Sequence, residues 1–496
     1  MRIKNNQTRK MVLTGDPDSP FSTRIFPFHG TILLMTKTQP PSTQPPSHPQ
    51  PTSQPYSKYT CANGLTALLI PISGMKSITA LALVNAGSRY EPEGWEGISH
   101  FLEHMVFKGT TKYPTPLDLA STLDAVGAEY NAFTSKEYTG FYVKSASKDL
   151  DLALDVVSDM LLEPRLPAED LEREKGVIVE EINMYEDTPM RHIGDVFDQV
   201  MFEGTMLGKD VIGTKETVRG LKQQDFQEYL RTWYGAGNMI VIVAGDASIV
   251  RQQNLAQKIE TFFSKAKDKR EKDGGKREFI DFSSHSSQTK QSKKQAPKIV
   301  LKHKKTDQAH FMFGVQALKH DDPRRFALAV LSSLFGGNMS SRLFTEIREK
   351  RGLAYYVRSM SDSFHDTGSF GVWAGVDPSR LDEALKIAKE ELFHLLDIDG
   401  ERAITEKEIQ RAKDYLIGTT VLGLEDSESM ASFYGMKYLL TKKIETPEEV
   451  LDHIRAVTLE EVQKLAVFLL EDARLYFAMI GPFEKSEEKR FEEILK

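Results

Sequence analysis

His100-Phe101-Leu102-Glu103-His104 is the stretch from which the rest of the chain is read. On a helix, residues i, i+3 and i+4 share one face. Two imidazoles one turn apart can therefore grip one metal ion, and Glu103 beside them can reach a water on that metal. This H-x-x-E-H order mirrors the H-E-x-x-H zinc helix. Two surface histidines on an amphipathic helix would give the same five letters, so the motif needs company. A catalytic zinc takes three protein ligands and keeps one position open, and the natural third ligand is a carboxylate. The helical pattern at 168–188 offers Glu172, Glu174, Glu180, Glu181 and Glu186. Glu174 and Glu181 lie two turns apart on one face, but periodicity alone does not choose among the five.

The chain around this motif has 496 residues, with 64 Lys and Arg against 71 Asp and Glu and a formal net charge of −7. At about 150 residues per domain this is enough for two to four domains. A hydrophobic content of 40% with 27% charged residues describes a folded globular protein. The acidic balance argues against a nucleic-acid partner. No apolar run reaches the roughly 18 residues of a membrane span. The single cysteine, Cys61, excludes an intramolecular disulfide framework and any cysteine-rich zinc module. A lone thiol and the lack of a convincing signal peptide point to a cytoplasmic location.

Composition divides the chain. Residues 1–57 end in a run of Pro, Ser, Thr and Gln that offers nothing to bury, and read as a disordered extension. Residues 58–263 mix strand signals (Ser77–Val84, Asn238–Gly245) with helical patterns at 95–107, 115–126, 149–162, 168–188, 222–234 and 247–264. Residues 264–297 are rich in Lys, Ser, Gln and Gly and read as a linker. Residues 298–496 repeat the plan, with a helix at 326–334, strands near 353–362 and 368–376, and a helix at 379–397. Helical segments at 407–441, 447–454 and 459–470 and a strand at 474–480 close the chain. Strand followed by charged amphipathic helix occurs at Thr139–Leu162 and again at Gly368–Leu392, which suggests two halves of similar fold. The expected class is α+β.

His100–His104 with the following Met105-Val106-Phe107-Lys108-Gly109-Thr110 resembles the pitrilysin/insulin-degrading-enzyme superfamily of inverted-motif zinc peptidases, in particular the branch of the mitochondrial processing peptidase and its bacterial relatives. The resemblance extends over nearly all of 58–490 and includes Asn131-Ala132-Phe133-Thr134, Leu171–Ile182 and Gly336–Val357. It implies two homologous α/β halves facing each other around a chamber. The family's third ligand falls on Glu181, with Glu180 the neighbouring candidate, and Glu174 matches a further acid that supports the site. The implied set is thus His100, His104 and Glu181 holding one Zn²⁺ per chain, with Glu103 as general base. Arg348 and Tyr355 match the family's substrate-contacting pair, and Asn131 and Ala132 match an edge strand that pairs with extended substrate. Phe107 is expected to pack beneath the zinc helix.

One departure stands out. The positions at which the mitochondrial enzyme reads arginine through two acids carry Arg191 and Asp195 here, which argues against presequence cleavage. The resemblance implies a metallopeptidase acting on extended or unfolded peptides. Both the zinc set and the Arg348/Tyr355 pair sit on one chain, so a homodimer is expected before a pair with a paralogous subunit. The competing reading is a non-catalytic peptide-binding or assembly subunit of a larger complex.

Overall fold

The computed structural model describes residues 54–266 and 296–496. Most of the expected extension at 1–57 and of the linker at 264–297 therefore lies outside the described residues. Two sheets organise the rest. The first contains β1 (Ser57–Thr60), β2 (Thr66–Ile72), β3 (Ser77–Val84), β4 (Glu129–Thr134), β5 (Thr139–Ala146) and β6 (Met239–Asp246), in the order β1-β2-β6-β3-β5-β4. The second contains β7 (Lys298–His303), β8 (Ala309–Ala317), β9 (Ala354–Ser363), β10 (Gly368–Val376) and β11 (Tyr476–Gly481), in the order β7-β11-β8-β10-β9. Apart from β1 the two topologies are identical. Each has one parallel pair, β2 with β6 and β7 with β11, and antiparallel neighbours elsewhere. The protein is an α+β molecule of two like halves, and β4 and β9 are the matching edge strands.

Both sheets carry helices on both faces, and the covering is reciprocal. On one face of the first sheet, Ala80, Ala82, Val84 and Val241 pack with Ile98, Phe101 and Leu102 of the histidine helix and with the Leu150–Leu162 helix. Its other face presents Leu81, Leu83, Ile240 and Ile242 to the Ser427–Thr441 helix, which belongs to the second half of the chain. The second sheet buries Phe311, Phe313 and Val372 in one cluster with residues of the Arg325–Gly336 helix. On its other face Met312, Met360 and Ile480 meet Ile193, Val196, Phe197 and Val200 of the Pro189–Met201 helix, which belongs to the first half. Each half thus lends one helix to the other.

The two halves also meet at equivalent hairpin turns. The β4–β5 turn carries Glu137, buried, which accepts from Arg89 Nη1 at 2.7 Å and from the His365 N–H at 3.0 Å in the β9–β10 turn. Arg89 pairs in addition with Asp366.

Several sequence expectations need correction. The expected helix at 407–441 is two helices, Glu406–Gly423 and Ser427–Thr441, because Asp426 turns its carboxylate onto the N–H groups of Glu428 and Ser429 and starts a new helix there. That at 247–264 is likewise divided, into Ala247–Val250 and Leu255–Phe262. The expected helix at 168–188 stops at Glu186, and a separate helix begins at Pro189. Strands β2 and β8 were not read from alternation because both faces are buried, which erases the period-2 signal.

Phe197 is 1% exposed within this exchanged contact. Phe197→Ala is expected to cost about 3–5 kcal/mol. Because the helix joins both halves, urea unfolding of the variant should stay a single transition at a lower midpoint. A loss below about 1 kcal/mol would contradict the packing described.

Candidate metal centre

The histidine helix, Ile98–Met105, starts at Gly97 with φ of 96°. A side chain there would be strained, and its Cβ would lie 2.5 Å from the Ile212 carbonyl oxygen. The carboxyl group of Glu91 then caps the helix, accepting from the Gly97 N–H and the Ser99 N–H, each at 2.8 Å. Ile98, Phe101, Leu102 and Met105 point into the core. That spacing turns His100, Glu103 and His104 together toward the Ala168–Glu186 helix.

There Glu181 meets both imidazoles. Its Oε1 is 3.7 Å from His100 Nε2 and its Oε2 is 3.5 Å from His104 Nε2. The three donor atoms lie within 4.8 Å of one another. Ligands at roughly 2.0–2.2 Å from a tetrahedral zinc are separated by about 3.4 Å, so the spacing fits one such ion. Glu180, the neighbouring candidate, is exposed. Glu174 sits one step out. Its Oε1 is 3.0 Å from His104 Nδ1, and its Oε2 receives Lys108 Nζ at 2.7 Å. With Nδ1 engaged by a carboxylate, His104 is left with a lone pair on Nε2, directed at Glu181.

Electrostatics follow the geometry. Burial, helped by the charge of His104, holds His100 down to about 3. Burial also pushes His104 down, but its bond to Glu174 and the charges of Glu181, Glu103 and Glu174 outweigh this and raise it. Burial raises the Glu174 carboxyl, yet the His104 and Lys108 bonds bring it below its ordinary value. Glu103 is raised by burial, partly offset by the Thr134 hydroxyl, which donates to its Oε2 at 2.7 Å. Glu181 is raised by the same cause.

The remaining expected residues are spread over both halves. Asn131 is exposed and Ala132 buried on β4, which among the described residues has no neighbour on its outer side within the sheet. Phe107 is partly buried against the core and beside Tyr130, with ring centroids 6.3 Å apart. Arg348 is exposed, 5.1 Å over the Phe344 ring, in the short helical segment Phe344–Glu349 that precedes β9. Tyr355 is 59% exposed near the start of β9. Arg191 lies 4.9 Å over the Tyr185 ring, and Asp195 Oδ2 is 3.4 Å from His192 Nδ1. A cavity of about 320 Å³ opens between Tyr185, His192, Asp195 and Asp210. Lys108 and Thr134, which meet Glu174 and Glu103, were not singled out in the sequence. Both stand inside quoted motifs, but their partners are set by tertiary contact.

The same plan occurs in known proteins. The family model for insulinase, peptidase family M16, matches residues 72–215. A second model, the peptidase M16 inactive domain, matches residues 220–416. An uncharacterized zinc protease of Streptomyces coelicolor is 37% identical over 431 residues, covering 87% of this chain and 90% of its own length. The chain belongs to the insulinase family of peptidases. An uncharacterized zinc protease of Bacillus subtilis shares 34% over 427 residues, covering 86% of this chain and 98% of its own. Among solved structures, a protease from Helicobacter pylori superposes with a TM-score of 0.76 at 22% identity, over 86% of this chain and 99% of that one. The insulinase model spans all three clustered residues. Among the described residues they form the one group of His, Cys, Asp and Glu able to hold a metal, and none lies in the half matched by the inactive-domain model.

Glu91 yields a test of how the helix is held. Burial pushes its carboxyl up to about 8, against an ordinary 4.5. A raised folded-state pKa gives stability that is full below the unfolded value and is lost as pH rises through the folded one. Stability to urea should therefore fall between pH 4.5 and about 8, and Glu91→Gln should flatten that slope. An unchanged slope would contradict the assignment.

Proposed function

We propose that this chain is a zinc-dependent endopeptidase acting on extended or unfolded peptides. The convergence of His100, His104 and Glu181, with donor atoms within 4.8 Å beside a half-buried Glu103, carries the reading. In this reading the three residues hold one Zn²⁺ per chain. Two neutral imidazoles and a carboxylate are the donor set of a catalytic zinc that keeps a position open. When bound, zinc polarises the scissile carbonyl and brings the pKa of its water toward about 7.

The chain's own residues do the rest. Glu103 takes the proton of the attacking water and returns it to the leaving amine. Its raised pKa suits the second half of that task, and the Thr134 hydroxyl holds the carboxylate in place. Glu174 fixes the ring of His104, and Lys108 keeps Glu174 ionised. Arg348 and Tyr355, both exposed where β9 begins, are read as donors to substrate carbonyl oxygens and to the oxyanion. The outer edge of β4, with Asn131 and Ala132, is read as a backbone ladder for extended substrate. One chain carries both sets, so the reading has it self-sufficient and homodimeric, which the mass in solution tests. With a single cysteine, Cys61, the setting is read as reducing and cytoplasmic.

Two variants separate the roles. Glu103→Gln should keep its zinc and lose cleavage of unstructured quenched peptides by at least about 10²-fold. Glu174→Gln should weaken zinc binding by about 10–100-fold, read by competition with a chelator. Full cleavage by Glu103→Gln would overturn the mechanism, and unchanged zinc affinity in Glu174→Gln would remove Glu174 from the site.

A further inference from the structure

The face of the second sheet that receives the Pro189–Met201 helix is only partly covered. The helix lies over β7, β11 and β8. Its start is beside β7, where His192 Nε2 is 2.6 Å from Lys302 Nζ. Its end is at the β9–β10 turn, where the Phe202 and Phe364 rings are 5.6 Å apart. The helix therefore crosses the face obliquely and leaves open the corner made by the start of β9 and the end of β10. Alternation along β9 places Tyr356 and Arg358 on the same face as Met360, which the helix does contact. In that corner Tyr356, Arg358 and Trp373 are each half-buried.

The corner is built rather than loose. Arg358 stacks 3.8 Å over the Trp373 ring. The Trp373 indole N–H donates to Tyr356 Oη at 3.0 Å, and His310 Nδ1 lies 2.9 Å from the same oxygen. Tyr356 lies flat on Gly375, where a Cβ would sit 2.4 Å from the ring. These contacts fix the plane of the guanidinium. Three other arginines whose side chains are largely shielded are matched by carboxylates, Arg325 by Glu445, Arg342 by Glu408 and Arg89 by Glu137. No carboxylate among the described residues pairs with Arg358. Burial lowers its pKa, as expected of a cation partly stripped of water without an anion. A stacked guanidinium keeps its N–H edge for a planar anion.

We propose that Arg358, seated on Trp373 in this open corner, binds a carboxylate of the peptide substrate. The inference rests on the peptidase reading. It adds that the preferred peptides carry a carboxylate, at the C-terminus or on an acidic side chain, some way from the bond that is cut. The position supports this. Tyr355 and Arg358 stand on the same strand, and the helix sharing this face follows directly on the one that carries Glu181.

The test measures binding apart from cleavage. Four fluorescein-labelled peptides of Gly, Ser, Ala and Leu, with a free or an amidated C-terminus and with or without one glutamate, are titrated by anisotropy into the full chain bearing Glu103→Gln. At least one carboxylate-bearing peptide should bind about tenfold more tightly than the neutral one, and the pattern tells terminus from side chain. Adding Arg358→Met should remove that preference, while Arg358→Lys, which keeps the charge, should retain part of it; thermal melting checks that both variants fold. Equal binding of all four peptides, or a preference that survives Arg358→Met, overturns the proposal. Cleavage of the same peptides by the unsubstituted chain tests the peptidase reading separately.

Discussion

A sheet whose strands are apolar on both faces must be covered on both, and in this chain each half supplies cover of its own for one face only. Leu81, Leu83 and Ile242 of the first sheet are closed by the Ser427–Thr441 helix of the second half. Met312, Met360 and Ile480 of the second sheet are closed by the Pro189–Met201 helix of the first half. Leaving either face in water would expose several large aliphatic side chains, each worth about 1.5–3 kcal/mol on burial. The exchange therefore ties the halves together, and the contact of Glu137 with Arg89 and the 364–366 turn repeats the tie at the hairpins.

That constraint positions the chemistry. The helix bearing Glu181 is followed, after only Asp187 and Thr188, by the helix lent to the second sheet. Glu181 is thus tethered to the half that carries Arg348, Tyr355 and Arg358. On the other side, Glu91, two residues beyond Arg89 at the hairpin junction, holds the start of the histidine helix at Gly97 and Ser99. Side chains far apart in sequence are brought into register by a few buried contacts, and loosening one of them moves donors that must agree to within a fraction of an ångström.

Much of this was legible in the sequence where the signal is local. His100, Glu103 and His104 are read from helical spacing alone, because one turn fixes their mutual position. Glu181 against Glu180 was open to periodicity and rested on resemblance, since the answer depends on how two helices pack. Glu174 was read as support, but its link to Lys108 is a tertiary contact with no sequence period. The Pro189–Met201 helix was missed although Ile193, Val196, Phe197 and Val200 carry a helical spacing. Its identity as cover for a distant sheet has no local signature at all. The open corner at Arg358 is of the same kind, because only the oblique path of that helix leaves the guanidinium without a carboxylate partner.

Metal content measures most directly whether Glu181 is the third donor. Zinc per chain, determined by elemental analysis on purified full-length protein, is compared for the unsubstituted chain, Glu181→Gln and Glu180→Gln. The geometry predicts one zinc in the unsubstituted chain and in Glu180→Gln, and loss of most of it in Glu181→Gln. Zinc that persists in Glu181→Gln, or disappears in Glu180→Gln, would contradict it.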